Sequence, residues 1–181
     1  MIRCRPVRLE QLSITALSHF LRNPVMTPAI NILKKKKITH KVHSYSHDGD
    51  HPSYGLEAAE KLGLDPDQVF KTLVAELGDG SLVVAIIPVN QMLSMKLLAK
   101  AAGAKKATMA DKAKVEKTTG YVLGGVSPLG QKKLLKTYID ASAATFPTIH
   151  VSAGRRGLEI ELNHNDLLTL TRGALADICQ V

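Results

Sequence analysis

From Val69 to Ala75 the chain reads Val-Phe-Lys-Thr-Leu-Val-Ala, a short apolar run broken by one cation. A strand period of two puts Lys71 on the face shared by Val69, Leu73 and Ala75. A cation there needs a partner or a wet cleft, which makes Lys71 a candidate for the floor of a ligand pocket. The plainer alternative is a stem lying on apolar surface with its ammonium in water. After the hairpin signal Gly78-Asp79-Gly80, residues 82–87 return as a strand apolar on both faces. Such a strand needs cover from two sides, and helices around a central sheet supply it.

The remaining pattern punctuates itself with caps. Thr27 before Pro28 starts a helix whose inward stripe is Ala29, Ile32 and Leu33 and whose end is Lys34-Lys35-Lys36-Lys37. Residues 39–46 alternate weakly as a strand into the polar turn His47-Asp48-Gly49-Asp50-His51-Pro52. Ser53 caps a helix through Leu62, closed by Gly63, with Leu56, Ala59 and Glu60 at mixed helical spacing. Ser94 caps another with Met95, Leu98, Ala99 and Ala102 inward, and Asp111 caps a third that ends at Thr119-Gly120. Residues 148–151 and 158–162 read as strands joined by Ala153-Gly154-Arg155-Arg156-Gly157. In the second, Leu158, Ile160 and Leu162 face one side and Glu159 and Glu161 the other. Asn163 suits the cap of a short final helix ending near Leu170.

A length of 181 residues with 45% apolar content fits one domain with a single sizeable core, and nothing after Met26 marks a second boundary. Aromatic residues make up 4% and Trp is absent, which argues against an aromatic stacking platform for single strands. The formal net charge of +8 favours an anionic partner such as tRNA or a phosphorylated ligand. Residues 1–25 carry +3 of it (Arg3, Arg5, Arg8 and Arg22 against Glu10) and are read as an N-terminal extension. That extension is a peripheral helix through Leu9, Leu12, Ala16 and Phe20, an Arg-rich targeting peptide, or sequence upstream of a true start at Met26. Cys4 and Cys179 lack the spacing of a zinc site or a redox pair, and no apolar run reaches membrane-spanning length, so a reduced cytoplasmic protein is expected. The four-lysine run is either a solvated face or an RNA contact. The His-rich turn matches no zinc spacing, and neither metal nor cofactor is expected.

The densest loop signal is Gly120-Tyr121-Val122-Leu123-Gly124-Gly125-Val126-Ser127-Pro128-Leu129-Gly130. Its glycines either bring backbone amides close to a bound carbonyl, carboxylate or phosphate, or serve as a tight structural turn. The spacing is neither a P-loop nor a dinucleotide fingerprint.

Met26-Thr27-Pro28-Ala29, the run from Gly63 through Leu73, Gly120-Tyr121, the run from Gly124 through Lys133, and the run from Gly154 through Leu162 together resemble the bacterial YbaK family. The likeness covers the chain from Met26 essentially to its end. It implies a mixed β-sheet or partly closed barrel flanked by helices, in an α/β or α+β arrangement over residues 26–181. It also implies removal of cysteine mischarged onto proline tRNA, with prolyl-tRNA synthetase as partner. On this resemblance Lys71 is the residue required for activity. Tyr45, Tyr54, Thr72, Gly124, Ser152 and Glu159 fall at substrate-binding positions, with Tyr54 in place of the more familiar Phe and Glu159 in place of an Asp. Lys132, Lys133, Arg155 and Arg156 are the expected contacts to tRNA phosphates. The resemblance further implies that the substrate's own thiol attacks the ester, leaving Cys4 and Cys179 without a catalytic task. Deacylation of another small aminoacyl-tRNA, and tRNA-end binding without catalysis, are the alternatives.

Overall fold

The computed structural model describes residues 26–51 and 53–180, so the N-terminal extension, Cys4 included, lies outside the described residues. Among the described residues, five α-helices and eight strands follow in the order α1 (Pro28–Lys36), β1 (His40–Ser44), α2 (Tyr54–Leu62), β2 (Val69–Leu77), β3 (Leu82–Pro88), α3 (Met95–Ala102), β4 (Ala107–Met109), α4 (Lys112–Thr119), β5 (Lys136–Asp140), β6 (Ile149–Arg155), β7 (Leu158–Leu162), α5 (His164–Thr171) and β8 (Ala174–Ala176), with a 3-10 helix at Ala141–Thr145. The caps read from the sequence are the caps found. Side chains of Thr27, Ser53, Ser94, Asp111 and Asn163 each accept a backbone N–H in the first turn of their helix. The inward stripe of α1 differs by one position, because Ala29, Ile30 and Leu33 are buried while Ile32 is only half-buried. On α2 the buried residues are Glu57, Ala58 and Ala59, and Leu56 is exposed.

All eight strands form one mixed sheet in the order β1-β7-β6-β2-β3-β5-β8, with β4 paired to β2 beside this path. Its edge strands β1 and β8 are not neighbours, so of the two expected forms the open sheet flanked by helices is the one found. Phe70, Val74, Val84, Ile86, Val151 and Ile160 point to one face, where α1, α5 and the glycine loop complete the main core. Ala75, Val83, Ala85 and Ile87 point to the other, under Leu98 and Ala99 of α3. Fully burying an aliphatic side chain of this size contributes about 1.5–3 kcal/mol, so both faces of β3 are anchored.

One irregularity of this sheet shapes the rest. β2 runs beside β3 for its whole length, Phe70 opposite Pro88 through Glu76 opposite Leu82. On its other side it pairs with β6 only at Val69 and Phe70 and with β4 only from Ala75 to Leu77. Between those contacts, residues 71–73 have no strand beside them, and a slot opens through the sheet. Carbonyl groups on either side of the slot are satisfied, since Gln68 O accepts from His150 N and Val74 O accepts from Ala110 N.

Candidate functional site

The slot leads into a cavity of about 300 Å³ lined by Ser53 to Gly55 at the start of α2, Val69 to Leu73 of β2, Val89 just after β3, Leu123, Gly124 and Val126 of the glycine loop, and Ser152 with Glu159 from β6 and β7. Because neighbouring strands stop short, successive residues Phe70, Lys71, Thr72 and Leu73 all reach the cavity, although they point alternately to opposite faces. Gly55 lets α2 approach the sheet, because a Cβ there would collide with the Val89 side chain. The first turn of α2 thereby brings its partial positive charge to the cavity wall.

Lys71 is half-buried, and its Nζ donates to the Val89 carbonyl at 3.0 Å. Desolvation lowers its pKa from the ordinary lysine value. Its ammonium is therefore aimed by a backbone oxygen on β3's extension, and no carboxylate among the described residues forms an ion pair with it. Glu159, buried on the same sheet face, has its carboxyl pushed up to about 8 by desolvation, which leaves it largely protonated near neutrality. Thr72 Oγ1 is buried without a hydrogen-bond partner among the described residues. Buried hydroxyls are rarely left so, and this one lines a cavity that a polar guest would enter.

The mouth is held by a latch. Arg156 donates to the Leu123 carbonyl through Nη2 at 2.8 Å and through Nε at 3.3 Å, and its guanidinium lies 4.7 Å from the Tyr54 ring centroid. Tyr54 in turn packs on Gly124, which has φ +83° and whose missing Cβ would sit 2.7 Å from the ring. The turn before α2 is fastened from below. Fully buried Glu57 accepts from Asp48 N and pairs with His47 Nδ1 at 2.7 Å, and the Tyr54 ring packs on His47 at a tilt of 45°, centroids 5.6 Å apart. Those bonds hold the Glu57 carboxyl below its usual range despite burial, which acts the other way. His47 and His51 of the His-rich turn are thus engaged by Glu57 and Glu60.

Of the residues singled out in the sequence, Lys71, Tyr54, Thr72, Gly124, Ser152 and Glu159 all line this cavity. Tyr45 does not. It packs beside Ala58 and Ala59 behind the wall, near enough to Glu159 that burial, then the charges of Glu159 and Glu57, push its phenol up to about 12. Arg155 and Arg156 line a neighbouring groove, Lys133 lines a concavity farther off, and the Lys132 stem covers Gly120. The sequence pattern does not pick out Val89, whose role is played by a backbone carbonyl, or Gly55, and it marks Ser53 as a helix cap only.

Replacing Glu159 by Gln tests the burial of that carboxyl. With a folded pKa near 8 against 4.5 in the unfolded chain, the unfolded state ionises first as pH rises. The parent is therefore stabilised by this group below about pH 4.5 and loses that contribution progressively up to about pH 8. Denaturant titrations at pH 5 and 8.5 should show the stability difference moving in favour of Glu159→Gln by up to roughly 4 kcal/mol.

Fold and cavity together define a mixed α/β protein with a small pocket, of mixed apolar and polar lining, set against a lysine. Residues 53–170 match the family described as aminoacyl-tRNA editing domain. A protein of Enterococcus faecalis named "Putative Cys-tRNA(Pro)/Cys-tRNA(Cys) deacylase EbsC" is 42% identical over 152 residues, covering 84% of this chain and 92% of that protein. The uncharacterized protein YwhH of Bacillus subtilis is 27% identical over 125 residues, 68% of this chain and 79% of its own length. Among solved structures, "a putative trans-editing enzyme for prolyl tRNA synthetase" superposes with a TM-score of 0.75 at 22% identity, covering 87% of this chain and 99% of that one, a likeness of fold. The chain belongs to the YbaK-like aminoacyl-tRNA editing domain family, and its activity is accordingly the deacylation of mischarged aminoacyl-tRNA.

Proposed function

We propose that the protein removes cysteine from mischarged Cys-tRNA(Pro), with the substrate's own thiol as the nucleophile. The observation that carries this reading is the composition of the cavity wall: it offers a lysine, a buried carboxyl and free polar groups, but no cysteine and no histidine to serve as nucleophile or base. Ser53 is spent as a helix cap, and Ser152 Oγ accepts from Gly154 N at 3.4 Å. Cys179 lies outside the lining, and burial together with Asp140 pushes its thiol up to about 12, far from the thiolate that attack requires. A cavity of about 300 Å³ suits one small aminoacyl group.

In this reading the cysteinyl sulfur attacks the ester carbonyl carbon while the bond to the tRNA 3′ oxygen breaks. The thiol proton leaves with that oxygen, and the products are tRNA and a cysteine thiolactone, which water opens to cysteine. Lys71 opposes the negative charge that develops on the ester, and a fixed charge already in place is effective because it needs no reorganisation during the reaction. Glu159 faces the substrate amino group, Thr72 and Ser152 offer hydroxyls, Gly124 contributes close backbone, and Tyr54 covers the mouth with Tyr45 behind it. Lys132, Lys133, Arg155 and Arg156 meet tRNA phosphates. Prolyl-tRNA synthetase supplies recognition of the tRNA body, the setting is the cytoplasm, and residues 26–181 form the editing domain behind the extension at 1–25. The Enterococcus faecalis relative supports the cysteinyl ester, since its name carries Cys-tRNA(Pro) and Cys-tRNA(Cys).

The test is release of amino acid from cysteinyl, alanyl and seryl forms of one proline tRNA, with and without prolyl-tRNA synthetase. Cysteine should be released at least tenfold faster than alanine or serine, and a Cys4→Ser/Cys179→Ser variant should match the parent. Comparable rates for the alanyl ester, or a large kcat loss in the folded double variant, would sink the thiol mechanism.

A further inference from the structure

Beyond the cavity lie three surface concavities, one adjoining it and two, across helix α4, joined to each other. A groove of about 620 Å³, which shares Leu123 with the catalytic cavity, is lined by Lys112, Arg155 and Arg156 together with Glu116. Helix α4 separates it from a hollow of about 430 Å³ lined by Lys114, Lys117, Lys133 and Lys136. Lys112 and Glu116 lie on one side of this helix and Lys114 and Lys117 on the other, as a period of 3.6 requires, so α4 is a ridge with a basin on each flank. Ser81, Leu82 and Lys136 are common to that hollow and a third, of about 770 Å³, that adds Lys105 and Lys106.

We propose that these basins form a track for the phosphodiester backbone of the tRNA acceptor arm, running from the catalytic cavity over α4 to the β2–β3 hairpin. The proposal rests on the editing function above and extends it to the part of the tRNA beyond the aminoacylated end. Charge balance favours an RNA backbone. Three acidic residues lie along the track, and basic residues outnumber them: both Glu76 carboxylate oxygens accept from Lys114 at 2.8 Å, Asp79 accepts from the Ser81 amide and hydroxyl, and Glu116 shares its groove with Lys112, Arg155 and Arg156. Lys105, Lys106, Lys117 and Lys136 are exposed and form no ion pair among the described residues. Length agrees. From Lys71 to the hairpin at Leu77 the strand advances about 20 Å, farther than one aminoacyl nucleotide reaches, so cations there would serve the nucleotides that follow.

The experiment compares the parent with K105A/K106A/K117A/K136A and with K34A/K35A/K36A/K37A, which removes the same charge from the end of α1. Binding of uncharged proline tRNA is measured across salt concentrations, and cleavage is measured on cysteinyl-tRNA(Pro) and on a cysteinyl CCA trinucleotide. The track variant should bind tRNA at least tenfold more weakly at about 0.1 M salt, with the slope of log K against log salt reduced by about 3. It should raise KM for the full tRNA while cleaving the trinucleotide like the parent, and the α1 variant should lose far less affinity. Equal losses in both variants, or an unchanged Kd and slope in the track variant, would overturn the track whatever the chemistry. So would intact tRNA binding accompanied by lost association with the synthetase, which would make this face a protein-docking surface. Failure of the parent to cleave either ester would count against the editing reading alone, because the binding comparison stands without turnover.

Discussion

Lys71→Ala should lower the single-turnover rate of cysteinyl ester cleavage by about 10²–10³-fold, the scale on which a preorganised charge or donor at a developing oxyanion acts. The loss should fall on the chemical step, with tRNA affinity reduced much less, because the proposed phosphate contacts lie elsewhere. Stability should change little. Truncation removes one hydrogen bond to Val89 O from a half-buried side chain beside an open cavity, and water can reach the carbonyl left behind. Lys71→Arg is the informative companion. It keeps the charge but brings a planar fork into a cavity of about 300 Å³, and it should fail to restore the rate. A folded Lys71→Ala protein that turns over like the parent would remove Lys71 from the reaction.

Gly124→Ala should cost at least tenfold in kcat/KM while the protein still folds. Its φ of +83° penalises any side chain by about 1–2 kcal/mol, and the new methyl would lie 2.7 Å from Tyr54. Tyr54 is 40% exposed and has room to swing outward, so the fold survives. Moving it pulls the ring from beneath Arg156 and loosens the Leu123 carbonyl that the same guanidinium holds. Gly124→Ala/Tyr54→Ala separates the two causes. If the collision is responsible, the double variant recovers part of the loss seen in Gly124→Ala; if backbone strain is responsible, it recovers none. Steady-state kinetics with thermal midpoints for all three proteins checks this.

What the sequence made readable follows the range of the interactions involved. Helix starts at Thr27, Ser53, Ser94, Asp111 and Asn163 were legible because a cap is a bond between residues two or three apart. The alternation of β7 put Glu159 opposite Leu158 and Ile160, and the run around Lys71 gave its strand face, because side-chain direction in a strand depends on parity alone. Strands β4, β5 and β8 went unread. Two of them are three residues long, and each is defined by its partner, so no local pattern marks it. Arg156 shows the same limit at the site. Its charge suggested a phosphate, and no local pattern announced the two contacts the fold adds, the carbonyl of a residue 33 positions away and the face of Tyr54. Tyr45 was carried into the pocket by resemblance and stands behind its wall.

The slot beside residues 71–73 sorts the kinds of change this chain can accumulate. Substitutions within it alter which group lines the opening, one side chain at a time, and the opening itself persists because its ends are set by where β6 and β4 leave β2. Insertions and deletions act otherwise. A single residue gained or lost in the first half of β2 would exchange the two faces of the strand, sending the ammonium of Lys71 toward the main core and Phe70 to the face Lys71 now holds. Lineages that retain the activity are thereby confined to point replacement along this stretch, with changes of length displaced to the β2–β3 turn and the loops beyond it.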